Sequence, residues 1–186
     1  MIRVGVLLTC YNRFEKTSKA ITAMVNSHSG LHKEMILDYF LVDDNSPDST
    51  GDKIKELFPF VTVIKGTGKL FWNGGMRLAW EYAYKYDYDY YLWLNDDTEV
   101  FKNALTLILD TIKTLDPSEK ENSILVGTTI DSITGIRSYG GRVKKNKLST
   151  FPTETVTPNY KIQRIDSFNG NFVLVPRNVF KIIGNF

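Results

Sequence analysis

Cysteine is nearly absent from this 186-residue chain: Cys10 stands alone. A single thiol excludes a disulfide framework and a thiolate metal cluster, and it fits a reducing compartment. Histidine is almost as scarce, and His28 and His32 lack the spacing of metal ligands. An excess of one charge is missing too. The formal net charge is +2, so no basic surplus points to nucleic acid as a partner. No apolar run approaches the roughly 20 residues that a membrane-spanning helix needs. The apolar stretch after Met1 is too short for a signal peptide and runs straight into a strand pattern. A cytoplasmic, soluble protein is expected, with peripheral contact at the inner face of a membrane left open. Internal repeats, linkers and low-complexity tails are absent as well, so one domain is expected over residues 1–186.

What is present is ordinary in amount, with 42% hydrophobic and 24% charged residues, and informative in order. Short apolar runs alternate with amphipathic stretches. Strands are expected over 4–9, 37–42, 61–64, 90–94 and 124–130, with a last one over 171–175. Helical spacing of apolar residues covers 14–27, the segment leading to Leu57, the segment from Gly75 to about Tyr86, and 103–115. A last helix runs from Arg177 to Ile183, closed by Gly184. Continuous apolar character in the strands implies burial on both faces. This rhythm predicts an α/β fold: a Rossmann-like, mostly parallel sheet with helices on both faces. The chain stops at Asn185-Phe186, one step past a helix, which reads as a cut in the C-terminal part.

Two of the strands end in acidic pairs. Tyr90-Tyr91-Leu92-Trp93-Leu94-Asn95-Asp96-Asp97 stops at adjacent carboxylates, and Phe40-Leu41-Val42-Asp43-Asp44 repeats the layout. Adjacent like charges repel and need an offsetting charge. Hard oxygen ligands suit Mg²⁺ or Mn²⁺ carrying a phosphorylated ligand. An isolated pair of this kind is also what a strand-end turn or helix cap looks like. In an open parallel sheet, ligands bind outside the carboxyl ends of the strands, so both pairs would border one crevice. Thr9, Tyr11, Asn12 and Arg13 lie just past the first strand and would border it too. Residues 66–75 form a glycine-rich loop; Gly74 and Gly75 at its end are candidates to meet a sugar or phosphate through backbone N–H groups and Trp72 to line a donor pocket, the alternative being a flexible loop with a core tryptophan. The loop is not a P-loop, because the Lys-Ser/Thr step is missing.

These segments resemble a known group. Val4-Gly5-Val6-Leu7-Leu8-Thr9-Cys10-Tyr11-Asn12-Arg13 resembles the opening strand of family 2 glycosyltransferases. Val42-Asp43-Asp44-Asn45-Ser46 resembles their second-strand signature, and Asn95-Asp96-Asp97-Thr98 their acidic metal motif. Trp72-Asn73-Gly74-Gly75 and Asn169-Gly170-Asn171-Phe172-Val173-Leu174-Val175-Pro176-Arg177 are closest to the rhamnosyltransferase-like branch. The resemblance implies a GT-A fold and an inverting, metal-assisted transfer from a UDP- or dTDP-sugar to a glycan or lipid-linked glycan. It assigns the nucleotide to Thr9, Tyr11, Asn12, Arg13, Asp43, Asp44 and Asp96, and Mg²⁺ or Mn²⁺ to Asp96 and Asp97. Donor sugar or phosphate falls to Trp72, Asn73, Gly74, Gly75, Arg77, Gly170 and Asn171. Arg77 stands where many members carry an arginine in an Ala-Arg-Asn step, here replaced by Gly75-Met76-Arg77. Residues 1–98 would form the nucleotide-sugar half and 99–186 the start of an acceptor-side half. The branch's general base lies in an aspartate-rich segment after the Gly-Asn-Phe step, so no catalytic base is named.

Two rivals remain at this point. One is a Mg²⁺-dependent phospho-receiver domain, whose acidic pair would follow the first strand, where Thr9-Cys10-Tyr11 stands instead. The other is a module that binds a nucleotide-sugar without turning it over. Arg142, Lys144, Lys145 and Lys147 read as a solvated hairpin or as a contact for an anionic lipid-linked acceptor. The run Tyr82, Tyr84, Tyr86, Tyr88, Tyr90 reads as aromatic packing around a helix–strand junction.

Overall fold

A computed structural model describes residues 1–146, 151, 154–159 and 161–184. Lys147 of the basic cluster and the terminal Asn185-Phe186 lie outside the described residues. In chain order the elements are β1 (Ile2–Cys10), α1 (Phe14–His28), β2 (Met35–Asp43), α2 (Thr50–Leu57), β3 (Val61–Lys65), α3 (Phe71–Ala83), β4 (Tyr90–Leu94), α4 (Ala104–Thr114) and α5 (Pro117–Asn122). Then follow β5 (Leu125–Val126), β6 (Thr129–Ile130), β7 (Arg137–Tyr139), β8 (Gly141–Val143), β9 (Glu154–Thr155), β10 (Ser167–Phe168), β11 (Phe172–Pro176) and α6 (Arg177–Ile183).

The main sheet has the order β3-β2-β1-β4-β11-β5. The first four strands are parallel, and β11 runs antiparallel to both β4 and β5. Side chains of a strand alternate between faces, and both faces here are covered. Val4, Val6, Leu8 and Cys10 of β1 enter a core with Ile21 and Met24 of α1, Ile54 of α2 and Leu105 of α4. Leu7 enters the opposite core with Met76, Ala79 and Trp80 of α3 and Phe180 of α6. The mostly parallel, two-faced sheet expected from the rhythm is present. Burial of Leu, Ile and Val side chains, at about 25 cal/mol per Å² of apolar surface, drives it together.

Three expectations need correction. The strand expected over 124–130 is two short pieces: β5 closes the main sheet, whereas β6 pairs with β7 in a separate hairpin. The loop expected over 66–75 ends early, because α3 begins at Phe71. Trp72, Asn73, Gly74 and Gly75 are therefore helical. The amide of Gly74 donates to Leu70 O (3.0 Å), so it is not available to cradle a phosphate. Finally, α5 was not foreseen. Its signals are local ones, Asp116 capping Glu119 N in a capping box with Pro117 at the first turn.

The junction of α3 and β4 packs as aromatic clusters, with Tyr84 on Phe180 and Tyr86 near Phe40 and Tyr88. At the far end Gly184 closes α6 in a left-handed conformation (φ 74°).

Candidate functional site

The strand order 3-2-1-4 reverses between β1 and β4, which makes that gap the sheet's topological switch point. The carboxyl-end loops of β1, β2, β3 and β4 meet there and are tied to one another. Asp44 N donates to Cys10 O (3.0 Å) and Gly66 N to Asp43 O (2.7 Å). Asn12 N donates to Ser46 Oγ (2.9 Å), Arg13 N to Thr50 Oγ1 (3.2 Å) and Phe14 N to Asp48 Oδ2 (3.4 Å). Asp48 Oδ1 also takes Thr50 N (3.0 Å), so Asp48 joins the starts of α1 and α2. Asn12 sits in the left-handed region (φ 55°), a conformation asparagine tolerates. The result is a rim whose backbone is fixed by side-chain oxygens.

The two acidic pairs play different parts in that rim. Asp43 ends β2, and its Oδ2 takes Gly51 N of α2 (3.0 Å) while its Oδ1 takes the N and Oγ of Ser46. Asp44 is buried. Its Oδ1 accepts Gly68 N (2.7 Å), and its Oδ2 accepts Leu70 N (2.8 Å) and Phe71 N (3.2 Å). Backbone amides thus offset both charges. The first pair holds the loops of the rim in place.

Asp96 and Asp97 follow β4 in a turn closed by Thr98 N on Asn95 O (3.1 Å). One nitrogen of the Arg13 guanidinium, Nη1, lies 3.2 Å from Asp96 Oδ1 and 3.2 Å from Asp97 Oδ2. Asp96 is 6% exposed, and its Oδ2 is buried with no hydrogen-bond partner among the described residues. Burial pushes the Asp96 carboxyl up to about 6; Arg13 opposes the rise and the Asp97 charge adds to it. The Cys10 thiol is held above its ordinary range by burial and by the Asp43 and Asp96 charges, so it is no nucleophile.

On the far side of the pair, Trp72 Nε1 donates to Asn95 Oδ1 (2.8 Å), and Asn95 N donates to Asn171 O (3.1 Å). Gly170 lies flat against Trp72, where a Cβ would sit 2.9 Å from the indole ring. Trp72, Gly170 and Asn171 are therefore brought together around Asn95, next to Asp96 in the chain. Others are not. Thr9 is buried with its side chain against Gly75, where a Cβ would come within 2.0 Å of Thr9 Oγ1. Both residues serve the close packing of α3 on β1. Arg77 pairs with Glu81 one turn along α3 (3.1 Å). Tyr11 is at the rim with its ring half exposed, and Asn73 is exposed on the first turn of α3.

Sequence reasoning missed Asn95 as a bridge and Phe71 as a rim residue. Phe71 is 83% exposed and has a left-handed backbone (φ 53°), a strained state for a bulky residue. No residue pattern announces such a backbone. Asp166 closes the β8–β10 pairing, accepting Lys144 N (2.8 Å), which is a structural role.

No group of three or more His, Cys, Asp or Glu that could hold a metal occurs among the described residues. Two carboxylates still fit Mg²⁺ or Mn²⁺, which commonly take their remaining ligands from water and substrate phosphates. The orphaned Oδ2 of Asp96 is the oxygen that such an ion would satisfy. No helix among the described residues is long and apolar enough to cross a membrane.

Comparison with known proteins agrees with this geometry. The sequence profile described as glycosyl transferase family 2 matches residues 5–173. A mannosyltransferase from Pyrobaculum calidifontis, solved with GDP-Man and Mn²⁺, superposes with a TM-score of 0.64 at 14% identity, over 99% of this chain and 47% of its own. TarS 1–349 from S. aureus, solved with UDP-GlcNAc, matches 60% of this chain and 31% of its own, at 16% identity and a TM-score of 0.49. The first likeness bears on the fold alone, and the second is too loose to add to it. This chain spans about half the length of that mannosyltransferase. No curated protein matches it. Sheet order and helix placement define a GT-A fold. The chain belongs to glycosyl transferase family 2.

Proposed function

We propose that this chain binds a nucleotide-sugar at the β1–β4 rim and transfers the sugar to an acceptor hydroxyl with inversion. The observation that carries the reading is the Asp96–Asp97 pair at the switch point, with one buried oxygen that has no partner among the described residues. Tyr11 and Phe71 offer ring faces to the base, which we take to be uracil or thymine. Trp72, Asn95, Gly170 and Asn171 flank the sugar. Arg13, Asp96 and Asp97 stand at the diphosphate. A divalent cation, Mg²⁺ or Mn²⁺, when bound, neutralises the charge that the diphosphate gains as it departs. The acceptor, a glycan or lipid-linked glycan, attacks the anomeric carbon as the bond from that carbon to the diphosphate oxygen breaks. The hydroxyl proton passes to a general base. Rim residues contribute positioning: tied loops hold donor and acceptor in line.

Residues 1–98 then serve the donor and 99–186 begin the acceptor side. The motif at 169–177 supports the rhamnosyltransferase-like branch. The basic side chains of Arg142, Lys144 and Lys145 supply a surface for an anionic acceptor or for peripheral contact at the cytoplasmic face of a membrane. Family membership removes the phospho-receiver alternative. Calorimetric titration with UDP, dTDP and GDP, with and without Mn²⁺, tests the donor reading. Metal-dependent binding of one nucleotide is expected in the wild type and lost in Asp97→Ala. Binding that is indifferent to Mn²⁺ in both proteins would refute it.

A further inference from the structure

Like charges on adjacent residues need an offset, and in this protein the offset at Asp96 and Asp97 is a side chain. A single Arg13 nitrogen stands 3.2 Å from an oxygen of each. This is not the parallel two-bond fork that makes arginine–carboxylate pairs short and strong, at about 2.7–2.9 Å. It is one positive centre shared between two carboxylates, the arrangement a small cation would adopt. We infer that Arg13 is a built-in counter-ion that competes with the divalent cation for Asp96 and Asp97, and so sets how tightly the site takes its metal. The inference rests on the donor-and-metal reading proposed above.

Three observations support exchange over permanent pairing. The Arg13 backbone is anchored, with its N on Thr50 Oγ1 and its O taking both N and Oγ1 of Thr17, so only the side chain needs to move. That side chain is 48% exposed, so it has a route into solvent, and rotamer changes of exposed residues take picoseconds to nanoseconds. The guanidinium also leaves the site incompletely satisfied, because Asp96 Oδ2 stays buried without a partner among the described residues. A cation that bonds this oxygen gains what Arg13 does not supply. The contrast with Asp43 and Asp44 sharpens the point. Their partners are mainly main-chain amides, of Ser46, of α2 and of the segment before α3, which cannot leave without unfolding the rim.

Competition predicts that deleting the guanidinium tightens metal binding. Mn²⁺ alone is titrated into wild type, Arg13→Gln and Arg13→Lys, and free ion is read from its electron paramagnetic resonance signal. Arg13→Gln is expected to bind Mn²⁺ at least ~10-fold more tightly, since two unit charges a few ångströms apart interact by several kcal/mol near a protein surface. Arg13→Lys, which keeps the charge, is expected to stay within about threefold of wild type. Without metal Arg13→Gln melts at a lower temperature, and a fixed Mn²⁺ concentration raises its melting temperature by more than it raises that of wild type, a difference that a merely structural role would not produce. Adding Asp97→Asn to Arg13→Gln abolishes the gain. Equal affinities in wild type and Arg13→Gln overturn the competition and leave the proposed function standing. Should Arg13→Gln fail to fold, Arg13→Lys binding Mn²⁺ ten times more tightly than wild type would overturn it as well. No Mn²⁺ binding by any of the proteins overturns the metal reading itself.

Discussion

Asp43 and Asp44 occupy successive positions at the end of an extended strand, and successive side chains there leave on opposite faces. One carboxylate therefore meets α2 and the other meets the segment before α3. Asp96 and Asp97 lie beyond β4 in a turn, where two neighbours can approach one cation. In the sequence the two pairs look alike. What separates them is the backbone that carries them and the kind of charge that answers them, and neither is written in the residue types. Two predictions belong at this scale. Asp44→Asn keeps shape but puts an N–H₂ where an acceptor stood, facing one or two of the part-buried amides that the carboxylate accepts. A loss of about 2–3 kcal/mol is expected in denaturant titration. The second concerns pH. The Asp96 carboxyl rises from 3.8 to about 6 on folding, so the folded chain holds that proton more tightly than the unfolded one. The associated stability is present below pH 3.8 and disappears as pH climbs through about 6. Metal binding runs the opposite way, because the ion requires the ionised form. Thermal melting against pH should lose this slope in Asp96→Asn, and Mn²⁺ affinity in the wild type should fall below pH 6.

Among the elements, α3 departs most from its expected form. Glycines at 66, 68, 74 and 75 read as a flexible loop, since glycine lowers helix propensity by about 1 kcal/mol per residue. The helix starts at Phe71 and runs through Gly74 and Gly75 because Asp44 fixes the amides at 68, 70 and 71 ahead of it, and because Gly75 lets α3 lie directly on β1. A tertiary contact decides here against local propensity, so the boundary could not be read in advance. Strand β1 and helix α1 were legible because their apolar spacing is long and regular; β5 and β6 were not, because two-residue strands carry no period. Gly75→Ala would place a Cβ 2.0 Å from Thr9 Oγ1. α3 must shift off β1, and a destabilisation of about 1–3 kcal/mol is expected from chemical unfolding. Because α3 also carries Trp72, nucleotide affinity should fall with it.

For the whole molecule, the alternation of apolar runs announced a mostly parallel, two-faced sheet, and the sheet order then fixes where a ligand belongs. The switch point between β1 and β4 gathers four loops from distant parts of the chain, residues 11–13, 43–51, 66–71 and 95–98. Their order along the chain could be read from motifs, but the counter-charge at their centre could not, since Arg13 and Asp96 are 83 residues apart. The central claim is that Asp96 and Asp97 yield their oxygens to a cation that clamps a donor's diphosphate. Crystals grown with UDP and Mn²⁺ and measured at the manganese absorption edge test it most directly. The account predicts one anomalous peak between Asp96, Asp97 and the diphosphate, with the Arg13 guanidinium withdrawn from both carboxylates. UDP bound at the rim with Arg13 still bridging the pair, and manganese absent from it, would contradict the account.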